Sequence, residues 1–411
     1  MDSGDIAWML TATALVVFMV PGLALFYGGM DRSKNVLNML NMNMYCIGIV
    51  PLLWVTLSWT LGNSGDGEGF WGGDLIGNWD QIGLKDMSGD AESLILVAFF
   101  MTFASITPAL ISGAVADRMK FAAWAVFVPV WVLLVYTPVT YWVYTGWHAE
   151  MGAIDFAGGT AIHVNAGVAA LALVLVLGKR KGWPSEAHPP HNLPLVMIGT
   201  GILWFGWFGF NAGSAGAANG QAVQALLNTF VAAAAGMIGW LAVERIRDGH
   251  ATSLGAASGV VGALVAITPA AGYVGGLASI VFGLVAGVGC YFLISLKSRF
   301  GYDDALDVVG VHGGGGIIGV ILLGFFADNS AIPGADFQDG VFFGGGELLI
   351  VQLVAVGSVL VFSFVVTFAI AKVLDATIGL RVSAETEDQG LDQTEHAERA
   401  YNFGDTNLDR A

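Results

Sequence analysis

Asp155-Phe-Ala-Gly-Gly-Thr-Ala-Ile-His163 and Asp304-Ala-Leu-Asp-Val-Val-Gly-Val-His312 decide how this sequence is read. Each stretch places a histidine eight residues after an aspartate and runs on into an apolar segment rich in small residues. Eight helical residues rise about 12 Å. With each aspartate at the border of a bilayer core roughly 30 Å thick, each histidine falls near the midplane. The two positions are five apolar segments apart, and an odd number reverses orientation. The pair therefore predicts an inverted repeat about an axis in the membrane plane, an arrangement that puts a transporter's site at the repeat interface.

Composition agrees with a lipid setting. Only 12% of the 411 residues are charged and 55% are hydrophobic, against about 25% charged in a soluble domain. The 58 glycines fit transmembrane helices that approach closely. Eleven apolar stretches, at about 6–30, 37–61, 93–115, 121–146, 157–178, 194–212, 221–243, 252–268, 274–296, 307–327 and 347–374, reach the roughly 20 residues a crossing needs. The first is expected to remain in the mature protein. Asp2 and Asp5 stand where a signal peptide has basic residues, and the apolar run continues past Pro21 to Met30. The predicted architecture is an all-α integral membrane protein of eleven transmembrane helices. Residues 1–374 make the transmembrane transporter domain, with inverted five-helix repeats at about 6–178 and 194–327 and an eleventh helix at 347–374. Residues 375–411 form a polar, acidic tail, either a disordered end or a docking arm.

Lys and Arg accumulate in cytoplasmic loops. With the N-terminus outside, the inner segments hold Arg32, Lys34, Arg118, Lys120, Lys179, Arg180, Lys181, Arg245, Arg247, Lys297, Arg299, Lys372, Arg381, Arg399 and Arg410, which is 15 of the 16. Only Lys85 falls outside. This predicts an N-out/C-in, multi-pass protein of the cell membrane with a cytoplasmic tail. The outer segment 62–92 carries Asp66, Glu68, Asp74, Asp80, Asp86, Asp90 and Glu92. Such a surface gathers cations or simply aids solubility, and the 32 acids to 16 bases of the whole chain favour solubility.

Histidine inside a membrane usually faces a cavity or a partner. Neutral imidazole has one donor and one acceptor nitrogen. Two in contact share a proton and offer a polar rail to a small neutral molecule with donors and an acceptor, whereas a permanent cation pays a large desolvation cost. The bland alternative is two unrelated histidines, each satisfied by a nearby hydroxyl or carbonyl. Other chemistries lack their parts. His148, His188, His191, His250 and His396 fall in loops or the tail, so no metal site is expected at membrane depth. Cys46 and Cys290 sit in apolar runs and read as small buried hydrophobes. His312-Gly-Gly-Gly-Gly316 has no G-x-S-x-G nucleophile to accompany it, and no P-loop lysine motif appears. Neither an enzyme nor a cofactor is expected.

The stretch Asp155-Phe-Ala-Gly-Gly-Thr-Ala-Ile-His-Val-Asn-Ala-Gly167 resembles the signature of the ammonium transporter (Amt/Mep/Rh) family, in its prokaryotic Amt form. So do Leu25–Gly29, Ile111–Arg118, Gly206-Trp-Phe-Gly-Phe-Asn-Ala-Gly-Ser214, Ile267–Gly272 and Asp307–His312, in family order. Gly379–Ser383, Gly390-Leu-Asp and Glu395-His396 resemble the family's cytoplasmic tail. The resemblance covers nearly the whole chain.

It implies a homotrimer with one pore per subunit. It implies that His163 and His312 are the twin pore histidines and that Phe103 and Phe210 gate the pore from outside. Ser214 matches the outer ammonium site, Asp155 the aspartate that supports recruitment indirectly, and Thr268 a pore-flanking threonine. The bland readings are plain core aromatics for the phenylalanines and helix caps for Ser214 and Asp155. One departure stands out. Where the family often has tryptophan over the outer vestibule, this chain has Tyr144, with Trp142 and Trp147 nearby. Tyr offers a weaker cation–π face.

The function implied is ammonium recruitment outside, deprotonation, and passage of ammonia along the histidines. A second reading is an ammonium sensor signalling through a cytoplasmic PII-type partner, with the tail and the loop 178–193 as the docking surface. A third keeps the fold and changes the cargo to methylammonium alone or carbon dioxide.

Overall fold

The structure, a computed structural model, describes residues 1–64, 75–332 and 336–401. Asp66, Glu68 and Asp74 of the acidic segment and Arg410 of the tail lie outside the described residues. Helices begin where the sequence supplies caps. Asp2 and Asp5 form a reciprocal capping box at the head of α1 (Ser3–Met30). Next come α2 (Val36–Asn63) and α3 (Ala91–Val115), the latter capped by Asp90, then α4 (Phe121–Glu150) and α5 (Gly159–Leu177). The second half continues with α6 (Leu193–Gly213), α7 (Gly220–Arg247) and α8 (Ser253–Ile267), capped by Asn192, Asn219 and Thr252. Then follow α9 (Gly276–Phe300), α10 (Val309–Phe326) and α11 (Glu347–Thr377). Two short tail helices, α12 (Ala384–Gln389) and α13 (Leu391–His396), complete the described chain. One strand-like bridge joins Met119 to Arg381.

Ten of these helices are long and apolar enough to cross a membrane. The eighth predicted stretch, 252–268, folds as the 15-residue α8, about 22 Å long. It ends at Thr268 because Pro269 follows, as is usual just past a helix C-terminus. The glycines work as packing surfaces. Gly22, Gly199, Gly206 and Gly209 let α1 and α6 touch, and a Cβ on Gly206 would stand 2.1 Å from Met19 Cγ.

The loops after α1, α3, α5 and α9 meet on the side that carries the tail. Arg180 is buried there. Its fork grips Asp303, with Nη2 to Oδ1 at 2.8 Å and Nε to Oδ2 at 3.0 Å, and its Nη1 reaches Asp117 Oδ2 at 3.1 Å. Burial alone would raise the Asp303 carboxyl, but the Arg180 fork outweighs it and holds the group below the usual carboxylate range. A depressed carboxyl stabilises the fold above the ordinary aspartate pKa of about 3.9, and that contribution is lost as pH falls through the lower folded value. Arg180→Gln should cost about 3–5 kcal/mol at pH 7, because it leaves the buried Asp303 carboxylate without its ion-pair partner, while Asp117 keeps Arg32. Thermal unfolding in detergent at pH 7 and pH 3 checks both statements; a variant as stable as wild type at pH 7 contradicts them.

The tail lies along this side as far as Tyr401. Lys34 Nζ donates to Glu387 O at 2.9 Å, Lys181 N to Glu387 Oε1 at 2.7 Å, and Arg381 pairs with Glu387 Oε2 at 2.8 Å. Asp392 accepts from Leu37 N and Asn38 N at 3.1 and 2.8 Å. Asn35, at the head of α2, caps nothing in α2 itself; its Oδ1 accepts from Leu391 N at 2.8 Å and its Nδ2 donates to Asp117. Through these contacts the described part of the tail packs against the chain's own loops.

Candidate functional site

The two Asp–His stretches fold alike beyond what their letters show. Asp155 accepts hydrogen bonds from the backbone N–H groups of Gly158, Gly159, Thr160 and Ala161 at 2.6–3.0 Å. Asp304 accepts from Val308 N and Val309 N at 3.1 and 2.7 Å. Five residues before each histidine the backbone is left-handed, at Gly158 (φ 103°) and Asp307 (φ 65°). Glycine tolerates this freely; for a non-glycine residue it is uncommon, though aspartate is among the more permissive. Both histidines then lie in wide π-helical turns, Gly159–Val164 and Val309–Gly314, a rare geometry that recurs at functional sites.

Just past these turns, α5 and α10 cross in backbone contact. A Cβ on Gly167 would lie 2.2 Å from Gly313 N. The crossing brings His163 Nδ1 to 3.2 Å from His312 Nδ1, with rings nearly parallel at 15° and both residues 2% exposed. Aromatic rings continue the line on either side. Phe103 and Phe210 stack at 4.2 Å, and Phe210 stands 6.1 Å from His163. At the other end, the Tyr27 hydroxyl donates to Leu110 O at 3.1 Å and stands 3.5 Å from His312 Nε2.

One assignment of tautomers satisfies these contacts, taking the shorter Tyr27 contact, to Leu110 O, as its hydrogen bond. Tyr27 spends its proton on Leu110, so it faces His312 with a lone pair, and His312 carries its hydrogen on Nε2. His312 Nδ1 is then an acceptor, and His163 Nδ1–H the donor to it. His163 Nε2 is left as a bare acceptor, buried and without a partner among the described residues. A buried, unpaired acceptor in an apolar setting suits a small guest that carries N–H.

The other expected site residues are placed as follows. Thr268 Oγ1 accepts from Trp207 Nε1 at 2.8 Å, and that indole stacks on His163 at 5.5 Å and 16°. Ser214, half-buried at the end of α6, donates to Phe210 O at 2.8 Å. Tyr144 stands 5.9 Å from Phe100, which neighbours Phe103. Trp142 packs on Phe362 at 4.6 Å, and Trp147 on His148 at 4.1 Å. Of the three aromatics, Tyr144 alone has a described ring contact beside the phenylalanine stack. His148, expected in a loop, lies in the one-turn helix Trp147–Glu150 that follows a break at Thr145 and Gly146, fully buried, with Nε2 2.8 Å from Ser358 Oγ. Among the described residues no group of three or more His, Cys, Asp or Glu side chains is gathered to hold a metal ion.

A sequence profile of the Ammonium Transporter Family matches residues 7–401. The chain belongs to that family. It is 48% identical over 438 residues to the ammonium transporter of Mycobacterium tuberculosis, covering 98% of this chain and 91% of that one. It superposes on the crystal structure of Saccharomyces cerevisiae Mep2 with a TM-score of 0.87 at 32% identity, covering 94% of this chain and 88% of that one. A structure described as a sensor Amt protein gives a TM-score of 0.87 at 28% identity, covering 96% and 98%. This member of the Ammonium Transporter Family is thus a multi-pass membrane protein.

Sequence reasoning passed over two residues of the ring line, Trp207 and Tyr27. Both lie within stretches whose resemblance to this family was noted, 206–214 and 25–29. Inside a uniformly apolar helix, however, periodicity does not separate a lining ring from a packing one.

Asp155 also yields a prediction. Its carboxylate serves four backbone donors, so Asp155→Asn, with one oxygen and an N–H₂ group in their place, should cost about 2–4 kcal/mol. The thermal unfolding midpoint of the detergent-solubilised variant should fall; an unchanged midpoint would show that the cap is structurally idle.

Proposed function

We propose that the protein is an ammonium transporter that conducts ammonia through an apolar pore along His163 and His312. The observation that carries this reading is the bare, buried Nε2 of His163, set between stacked phenylalanines and a second imidazole in a member of this family. Ammonium gathers at an outer vestibule near Ser214 and Tyr144, with Asp155 shaping the turn beneath. Phe103 and Phe210 close the pore from that side, and before the dry segment, where charge is costly to hold, the cation gives its proton to water, the proton then staying outside or crossing by a separate route. Ammonia then donates to His163 Nε2 and moves past His312 and Tyr27, with Thr268 steadying the Trp207 indole alongside.

The same reading takes eleven crossings, N-out/C-in, with α8 completing the second five-helix repeat and residues 1–374 forming the transporter domain in the cell membrane. The subunits assemble as a homotrimer, and the docked tail with the 178–193 loop offers a surface to a PII-type signal protein. A sensor role is the second reading, favoured by the likeness to the sensor Amt structure.

Growth of a transport-deficient host on low ammonium separates the two. Rescue supports transport, and failure to rescue by a correctly inserted chain supports sensing. Ammonium-evoked current in proteoliposomes at several external pH values then gives the charge moved per ammonium; no flux at any pH would refute the proposal.

A further inference from the structure

The two halves of the repeat solve one backbone problem differently. Five residues before its histidine, each half turns through left-handed backbone, at Gly158 and at Asp307. The carbonyl at that position accepts the N–H just ahead of the histidine, Gly158 O from Ile162 N and Asp307 O from Val311 N, both at 2.9 Å. The orientation of that one carbonyl sets where each helical turn starts and so where its imidazole stands. Glycine adopts the conformation without steric cost, whereas a residue with a Cβ is strained by it. The caps differ in the same sense. Asp155 takes four backbone N–H groups and Asp304 takes two. The half with the strained residue has the weaker cap.

Lys297 makes up the difference. From the last turns of α9, its Nζ donates to Asp307 Oδ1 at 2.5 Å and to Asp304 O at 3.1 Å. One ammonium thus ties both ends of the turn 304–307, where charge-assisted bonds are strongest. The wall of α9 lies close behind, since a Cβ on Gly310 would stand 2.9 Å from Ile294 N. Lys297 and Asp307 are 21% and 23% exposed, and both line a chamber of about 460 Å³ together with Met30. Met30 follows Tyr27 by three residues on α1, a spacing that shares one helix face. The chamber therefore opens beside the Tyr27 end of the ring line. Because the ion pair faces it, removing one charge does not strand the other in a dry interior, and single variants should still fold.

We propose that Lys297 is a positioning residue for the His312 imidazole. Its ammonium holds the left-handed turn at Asp307, and through that turn it holds the ring against His163 and Tyr27. Lys297 acts through the backbone and stands outside the ring line. Without it, Asp307 relaxes out of the left-handed region, its carbonyl turns away from Val311 N, and the 3.2 Å approach of the two imidazoles opens. The bearing of the clamp on flux rests on the transport reading; its hold on the ring does not.

The test follows the full chain in lipid vesicles by ammonium-evoked flux and by the nitrogen-15 resonances of labelled histidines, assigned with the His163→Ala and His312→Ala variants. Lys297→Gln should shift the His312 resonances and lower maximal flux about tenfold, the factor that matches the strain of one left-handed non-glycine residue. The half-saturating ammonium concentration should stay put, because the outer site is untouched. Lys297→Arg, whose guanidinium can serve the same two oxygens, should restore both readouts. In an Asp307→Gly background the backbone needs no clamp, and there Lys297→Gln should cost less than about twofold. Lys372→Gln, which removes a cation from α11, should move neither readout. Unmoved His312 resonances in Lys297→Gln, or an equal loss in the Asp307→Gly background, would overturn the proposal. Shifted resonances with undiminished flux would uphold the clamp and count instead against the histidine rail, so the two failures are told apart.

Discussion

Gly167→Ala should lower ammonium uptake about a hundredfold while the protein still inserts and assembles. The added Cβ would lie 2.2 Å from Gly313 N and 2.3 Å from Gly313 Cα, a backbone contact that no side-chain rotation relieves. The helices α5 and α10 must move apart, and the crossing that opens is the one that holds the two imidazoles at 3.2 Å. A displacement of about 1 Å at a positioned functional group commonly costs two orders of magnitude. Gly48→Ala is the control, since nothing lies within 4 Å of a Cβ there. Uptake of labelled methylammonium into proteoliposomes reads the effect. Wild-type rates for Gly167→Ala would show that ring separation is irrelevant to passage.

The His163→Ala, His312→Ala double variant should lose at least about tenfold in ammonium-evoked flux, together with its preference for ammonium over other cations. On the proposed path, removing the pair deprives ammonia of its hydrogen-bond partners in the dry segment. An unmade hydrogen bond in such a place costs about 1–3 kcal/mol, and every 1.4 kcal/mol is roughly a factor of ten. The single variants should differ in character. His312→Ala leaves the His163 Nδ1–H without an acceptor, whereas His163→Ala leaves the His312 Nδ1 without a donor while Tyr27 still holds its Nε2 side. Unchanged current and selectivity in the double variant would remove the histidine rail from the mechanism.

The sequence foretold the meeting of the histidines because their registers are measured from charged residues at opposite borders. His163 stands eight residues after Asp155 and His312 eight after Asp304, and that shared spacing is what led to the expectation that the two rings meet, as they do at 3.2 Å. The wide helical turns around them were not legible, nor was the left-handed backbone at Asp307. Trp207 and Tyr27 were hidden because an indole or phenol in an apolar helix looks the same whether it faces a guest or a leucine. The tail's individual contacts were not legible because several of its partners are backbone groups far away in the chain, such as Leu37 N and Asn38 N for Asp392. No composition or spacing announces a carboxylate that caps a helix more than three hundred residues upstream.

That last contact has a consequence for biosynthesis. Helix α2 leaves the ribosome early, but the carboxylate that closes its amino end lies 355 positions downstream of Leu37. At translation speeds of about 5–20 residues per second, the interval is on the order of tens of seconds. During that time α2 sits in the bilayer with an unfinished end, and the loops around Asn35 and Asp117 lack the partner that Leu391 supplies. The fold therefore carries its own sign of completion: the base of the bundle is fastened only once the segment around Asp392 has been made.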